Sequence, residues 1–389
     1  MKIAMLGTKG IPSRFGGIET HVAELATRLV RMGHDVVTYV RPWYVGKHAG
    51  DRYNGIRLIR VPSWVTKHAD AATHTLLSTL HALVFERPDI YHFHGVGPAL
   101  FAFLPRLFAP RAKTVVTFHC VDRKHAKWGA FARVMLLLGE KAALLFPHET
   151  IAVSKTLSTY AKSAWRGTAT YIPNGITPRR ASLDPVLLDP FGLQPYRYVL
   201  MVSRLVPHKG AHTLMAAWEK ARDLDPVLMK DMKLAIVGDS AFTDDYVAQL
   251  RAHAAMNPSI VMTGYQTGES LEALFMGASF VAHPSQSEGL PIAVLEAMGY
   301  GKAVVGSDIP ENMELLAESG IPVPVGDTNA LAYAILDLVR DPLQATALGR
   351  LSREVVETEY HWDDIAKKTT EVYAEQKTAP WGMMKIAIK

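Results

Sequence analysis

Short runs of β-branched and apolar residues alternate with helical stretches from one end of the chain to the other, and a proline-rich break divides them into two series. That alternation leaves few architectures open. Parallel strands need long crossovers, and helices that cover both faces of a sheet supply them. In the first series the pattern predicts strands near 2–7, 35–40, 56–62, 90–94, 114–119, 150–154 and 169–173, with a helix from Glu19 to Met32 closed by Gly33. It then breaks between Thr177 and Tyr196, where Pro178, Pro185, Pro190 and Pro195 fall. Strands resume over Tyr198–Ser203, Lys233–Val237, Ile260–Gly264, Phe280–His283 and Ala303–Ser307. The expected fold is α/β, with two facing Rossmann-like doubly wound parallel-sheet domains over 1–178 and 197–361, joined by a linker at 179–196.

A chain of 389 residues is long enough to fill two cores. Its lone cysteine, Cys120, excludes an intrachain disulfide and a cysteine-based metal site, which fits a reducing compartment. The opening run Met1 to Gly7 is too short for a signal peptide or a membrane span and reads as a buried strand, so a cytoplasmic protein is expected. Charge is divided unevenly. Residues 1–180 hold 25 Lys and Arg against 10 Asp and Glu, and the remainder 17 against 27. A basic half admits three explanations: an anionic membrane surface, a nucleic acid, or a solvated face. No helix-turn-helix, zinc-finger or RNA-reading signature accompanies the charge, so no nucleic-acid partner is expected.

Ligands of open α/β sheets bind beyond the carboxyl ends of the strands. The first strand is followed by Gly7-Thr8-Lys9-Gly10-Ile11-Pro12 and then Phe15-Gly16-Gly17-Ile18-Glu19-Thr20, which opens a helix. Adjacent glycines there either bring backbone N–H groups close to a ligand or simply make a turn. Neither the dinucleotide fingerprint nor the P-loop spacing is present. After the first strand of the second half comes Ser203-Arg204-Leu205-Val206-Pro207-His208-Lys209-Gly210, in which Arg204 and Lys209 suit two phosphate charges or a solvated loop. Farther on, Ser287-Glu288-Gly289-Leu290-Pro291 runs into Val294-Leu295-Glu296-Ala297. Eight residues of helix would return Glu288 and Glu296 to nearly one face, with Pro291 at the first helical position and unbonded N–H groups beside it. Acceptors for hydroxyls and donors for phosphates lie together. His119 ends a strand, and alternation aims Cys120 the other way, against a Cys-His nucleophile. His92, His94 and His119 together suggest a metal site, but no fourth ligand is evident, and cleft lining or core packing explains them as well. Asp223-Leu224-Asp225 ends a helix away from any strand end and reads as surface.

Gly16-Gly17 with Glu19-Thr20-His21, Ile172-Pro173-Asn174-Gly175, Arg204 with Lys209-Gly210, the two glutamates, and Tyr360-His361-Trp362 resemble, in order and spacing, the retaining nucleotide-sugar glycosyltransferases of GT-B architecture, family four. The likeness covers nearly the whole chain, and the Gly-Thr-Lys-Gly-Ile-Pro opening resembles members that assemble bacterial surface polysaccharides. Ser203, His208 and Thr177 depart from the family pattern without removing a charge contact. The resemblance implies a sugar moved from a nucleotide diphosphate to a glycan or lipid-linked acceptor, without metal or other cofactor, and a last helix, 362–378, crossing back to the first domain. It implies catalytic roles for His119, Arg204, Lys209 and Glu288, with His119 bonding the donor sugar and the two cations neutralising the leaving diphosphate. Gly16, Gly17, Gly289, Leu290, Ile292 and Glu296 would bind the donor, Glu296 through the ribose hydroxyls. Thr8, Lys9, His21 and His94 would lie on the acceptor side. The same architecture also serves epimerases, phosphorylases and non-catalytic relatives.

His125-Ala126-Lys127-Trp128-Gly129-Ala130-Phe131-Ala132-Arg133 leads into Val134-Met135-Leu136-Leu137-Leu138, a mixture that fits either an interfacial segment or a core helix with a basic start. Arg106, Arg111 and Lys113 add to the basic side. The expectation is a peripheral enzyme on the inner face of the cell membrane.

Overall fold

The computed structural model describes residues 1–375 apart from 14–15, 47–49, 67–68, 125–128, 178–181 and 242. His125 to Trp128, Pro178 and the end of the expected last helix therefore lie outside the described residues.

The first half runs β1 (Lys2–Leu6), α1 (Gly17–Arg31), β2 (Asp35–Val40), α2 (Pro42–Val45), β3 (Arg52–Tyr53), β4 (Ile56–Arg60), α3 (Asp70–His81), β5 (Ile90–His94), α4 (Val96–Ala99), α5 (Phe103–Phe108), β6 (Lys113–Phe118), α6 (Ala130–Leu145), β7 (Glu149–Ala152), α7 (Lys155–Trp165) and β8 (Thr170–Tyr171). Its strands form one sheet in the order β3-β4-β2-β1-β5-β6-β7-β8, parallel except for the β3–β4 pair. The second half runs β9 (Tyr198–Val202), α8 (Ala211–Leu224), β10 (Lys233–Val237), α9 (Asp244–Ala255), β11 (Ile260–Gly264), α10 (Gly268–Gly277), β12 (Phe280–His283), α11 (Ile292–Gly299), β13 (Val304–Ser307), α12 (Pro310–Leu316), β14 (Gly320–Val323), α13 (Thr328–Arg340) and α14 (Pro342–Glu359). Its sheet is wholly parallel, in the order β11-β10-β9-β12-β13-β14. This is a mixed α/β chain with two doubly wound sheets.

Central strands such as β1 and β9 bury both faces, which is why they read as unbroken apolar runs. Helix α1 buries Val22, Leu25, Ala26 and Leu29 at helical spacing, and Gly33 follows it at φ 87°. The proline-rich stretch is not bare coil. Asp184 caps a 3₁₀ turn over Pro185–Phe191, accepting from the N–H of Val186, and Leu188 and Leu193 bury against Tyr198 and Leu274 of the second half.

Beyond α14 the chain bridges from His361 to Ile176 and continues as α15 (Trp362–Ala374) against the first half. Gly175 admits the close approach: a Cβ there would lie 2.7 Å from both Trp362 and Ile365. Arg28 binds Asp363 at 2.8 Å, and the hydroxyl of Tyr373 meets His92 at 2.7 Å. Lys113, expected on the basic surface, is instead buried, donating to the carbonyls of Val372 at 2.5 Å and Glu375 at 3.0 Å. Carbonyls at a helix end that lack intrahelical partners supply what an interior ammonium needs.

Candidate active site

The carboxyl ends of β1, β5 and β6 face those of β9 and β12, and glycines let the two halves touch. A Cβ on Gly289 would stand 1.7 Å from the carbonyl oxygen of His119, and one on Gly17 would meet Ile292 at 3.6 Å. Val96, Phe118 and Val153 share a buried cluster with Leu290, Val294 and Leu295 across the same junction.

On the second half, two loops are locked together. Gly210, at φ 76°, leaves no room for a side chain, since its Cβ would lie 2.4 Å from the carbonyl of Pro284. The carbonyl of His208 accepts from the N–H of Gln286 at 2.8 Å and the hydroxyl of Ser285 at 3.3 Å. Lys209 reaches across to an ion pair with Glu288, which also accepts from His283 Nε2 at 2.8 Å. Burial by itself would raise the Glu288 carboxyl, but the Lys209 ammonium and His283 outweigh it and hold it well below the carboxylate range. Glu288 is thus not on the helix face expected for it. Pro291 is the N-cap rather than the first helical residue, so α11 begins at Ile292, Glu288 lies in the preceding loop, and only Glu296 is helical. Among the described residues no hydrogen bond is donated by the N–H of Gly289, Leu290 or Ile292. Donors left open at a helix start suit an anion.

Arg204, half-buried after β9, stands close enough to Lys9 and Cys120 of the first half for its charge to act on both. Lys9 is reached by the loop after β1, whose backbone N–H is held by Glu19 Oε1 at 3.1 Å. Burial pulls the Lys9 ammonium below its ordinary range; Glu19 opposes the shift, and Arg204 and Arg41 add to it. Gly16, at φ 114°, lies against the Glu19 carboxylate, where a Cβ would be 3.8 Å from Lys9 Nζ. Thr8 is fully buried, its hydroxyl accepting from the N–H of Gly10 at 3.3 Å.

His119 follows β6 and joins His94 and His21 in a buried group whose ligating nitrogens all lie within 4.8 Å of one another. His94 Nδ1 and His119 Nε2 are 3.3 Å apart, and His94 Nε2 meets Met5 Sδ at 3.4 Å. His92 is not part of this group. Its two nitrogens bond the hydroxyls of Tyr373 and Thr117, each at 2.7 Å, and His21, from α1, takes its place. Burial lowers all four rings, His21 to about 4 and His92 to about 3, with His94 and His119 well below the usual imidazole range, so they stand neutral at pH 7. Cys120 donates to Asp122 at 3.3 Å, and burial drives its thiol upward, which leaves no thiolate for nucleophilic attack. Asp225 is occupied by the N–H of Leu228 at 3.1 Å and by Arg340 at 3.4 Å, as a surface turn requires.

Two contributors have no role in the sequence reading. Asn174 accepts from His21 Nδ1 through its Oδ1 at 2.9 Å, and its amide nitrogen donates to the carbonyl of Leu290 at 2.8 Å, which ties the histidine group to the loop before α11. Since an amide oxygen only accepts, His21 carries its proton on Nδ1. His283, last residue of an otherwise apolar strand, supports Glu288. A polar residue at the carboxyl end of a buried strand is the signal that would have found it.

Known proteins share the fold and the order of the two halves. The pattern described as Glycosyltransferase Family 4 matches residues 15–180, and that described as Glycosyl transferases group 1 matches residues 196–341. The chain belongs to these glycosyltransferases: its fold is GT-B and it is a hexosyltransferase that uses nucleotide sugars. It is similar to the GDP-mannose-dependent alpha-(1-6)-phosphatidylinositol monomannoside mannosyltransferase of Mycobacterium tuberculosis, 27% identical over 95% of this chain and 97% of that one. Glycogen synthase of the same organism is 26% identical over 97% and 95%. Among solved structures, sucrose-phosphate synthase from Thermosynechococcus elongatus superposes with a TM-score of 0.80 at 22% identity, covering 96% of this chain and 98% of that one. HepE of Anabaena, in complex with UDP-glucose, gives 0.77 at 20% identity, covering 96% and 99%.

Proposed function

We propose that the chain transfers its hexose to a glycan or lipid-linked acceptor in bacterial cell-surface polysaccharide or glycolipid synthesis, with retention of configuration, without a metal, and as a peripheral protein on the inner face of the cell membrane. The observation that carries this reading is the convergence of Arg204, Lys209 and the unbonded amides before and at the start of α11 on one cleft that Lys9 enters from the opposite half. As the bond from the sugar to the diphosphate breaks, negative charge grows on the departing phosphate, and fixed cations and N–H dipoles stabilise it there more than in the bound donor. The acceptor hydroxyl then bonds the anomeric carbon on the face the diphosphate leaves and gives its proton to a phosphate oxygen. Glu288, engaged by Lys209 and His283, is poorly disposed to attack as a glycosidase nucleophile would. The acceptor named for the mycobacterial relative is a phosphatidylinositol monomannoside, which supports a lipid-linked substrate class.

Calorimetric titration with UDP, GDP, dTDP and ADP, with and without a chelator, tests the donor site. Binding of one nucleotide, indifferent to chelator and weakened by Glu296→Ala, is expected and names the donor base. Binding that disappears with the chelator refutes the metal-free reading, and binding of none refutes the site.

A further inference from the structure

We infer that the outer surface of the helix layer α3, α5 and α6 is a docking face for a bilayer carrying anionic lipid. The inference rests on the lipid-linked acceptor proposed above. Residues around these helices, Ala82, Ala99, Ala102 and Ala143, pack in one cluster with Tyr91, Phe93 and Val116 of the sheet, so the helices cover one and the same face of it. The crossover helix α15 packs on the opposite face, with Val22, Leu25 and Ile3, and leaves this layer outermost.

Helix α6 turns its small and polar side inward. Gly139 presses on α4, where a Cβ would lie 2.4 Å from the carbonyl of Val96, and Glu140 is buried in a 2.9 Å pair with Arg123 and accepts from Tyr160 at 2.7 Å. Its large apolar side faces out: Phe131 is 79% exposed, and Val134 and Leu138 continue the stripe at helical spacing. A helix that covers a core does the reverse. Nor is it isolated, since Phe108 at the end of α5 is 70% exposed and Phe85, just past α3, 71%. Scattered exposed apolar residues are ordinary on a folded protein; aromatic tips concentrated on one helix layer mark a contact surface.

Charge selects the occupant. Residues 101–145 hold eight Lys and Arg against two Asp and Glu; Lys113 is buried against the end of α15 and Glu140 is buried against Arg123, while Arg111, Arg133 and Lys141 are exposed. Apolar side chains between cations fit the boundary of an anionic leaflet, whereas a two-fold pair of identical copies would set cation against cation. Among the described residues no helix is long and apolar enough to cross a membrane, so the contact is a surface one. Helix α6 follows the His119 loop and α4 follows His94, so the face runs up to the cleft's first-half wall. A headgroup lifted from the bilayer enters beside the histidine group.

Cosedimentation of the whole chain with vesicles tests the face, using phosphatidylcholine alone and phosphatidylcholine with roughly a third phosphatidylglycerol. The protein is expected to partition at least about tenfold more onto the anionic vesicles, and moderate salt is expected to weaken but not abolish the preference. Phe131→Ser with Val134→Ser and Leu138→Ser lowers the partition at least about tenfold with the melting temperature and nucleotide titration unchanged, and Arg133→Glu lowers it less. Absence of an anionic preference at moderate salt overturns the proposal, as does a triple variant that binds like wild type. Dimers in sedimentation velocity that the triple variant dissolves reassign the face to a second copy. Vesicle binding by a chain that binds no nucleotide would leave the docking face standing and remove the donor site, and the converse result would do the opposite.

Discussion

The two halves share an architecture and differ in what they do with their surfaces. In the second half helix α8 buries the large apolar residues Leu214, Met215 and Trp218. In the first half the large apolar residues of α6 face outward on a basic background. The ligand loops differ too. Those of the second half bond each other through His208, Ser285, Lys209 and Glu288, whereas the first half offers Lys9 and a neutral histidine group. A leaving group whose charge is the same for every turnover rewards a rigid, prepaired site; an acceptor delivered from elsewhere rewards a surface that finds it.

The sharpest way to break this division is to remove the cations of the second half. Arg204→Ala and Lys209→Ala are each expected to lower kcat/KM for transfer at least about 100-fold with melting temperature little changed for Arg204→Ala. Full activity in either variant would deprive the second half of its assigned role. Gly289→Ala probes the contact between halves: its methyl would meet the His119 carbonyl, so the halves must part, and transfer is expected to fall about tenfold or more while nucleotide binding persists. Unchanged transfer would mean that the closed contact is not the productive one. Asn174→Ala leaves His21 and the Leu290 carbonyl without partners, and a loss of about 1–3 kcal/mol in denaturant unfolding is expected, with an unchanged slope.

The smallest effect is the pH dependence that His92 gives the first half. His92 titrates at about 3 when folded, against 6.5 for the ordinary imidazole, so the unfolded chain takes up the proton first. Its contribution to stability is full above pH 6.5 and declines as pH falls toward the folded value, by about 1.4 kcal/mol for the first unit. His92→Gln is destabilised at neutral pH through its lost bonds to Tyr373 and Thr117, and that deficit should narrow on going to pH 5.5. A deficit that widens instead would show that His92 is charged in the folded protein.

Much of the fold was legible because a strand buried on both faces must be an apolar run, and a helix beside it must repeat its apolar positions every third or fourth residue. The strands that escaped notice lacked those marks: β3 is two residues long, and β14 at the sheet edge contains Pro322. The place of Arg204 just beyond the carboxyl end of a buried strand was legible from the apolar run before it. The pairing of Lys209 with Glu288, 79 residues apart, was not, nor the replacement of His92 by His21 beside His94 and His119. Lys113 misled because lysines are ordinarily exposed, and only the end of α15 makes an interior place for it.

By itself the sequence determined the two parallel sheets, the uneven charge and the loops that carry cations and carboxylates, because periodicity and composition act within a few residues. Tertiary structure alone decided which charge meets which, which histidines share a pocket and which side of α6 faces out. Those depend on what approaches from far along the chain, and on whether it leaves a polar group dry or a methyl group wet.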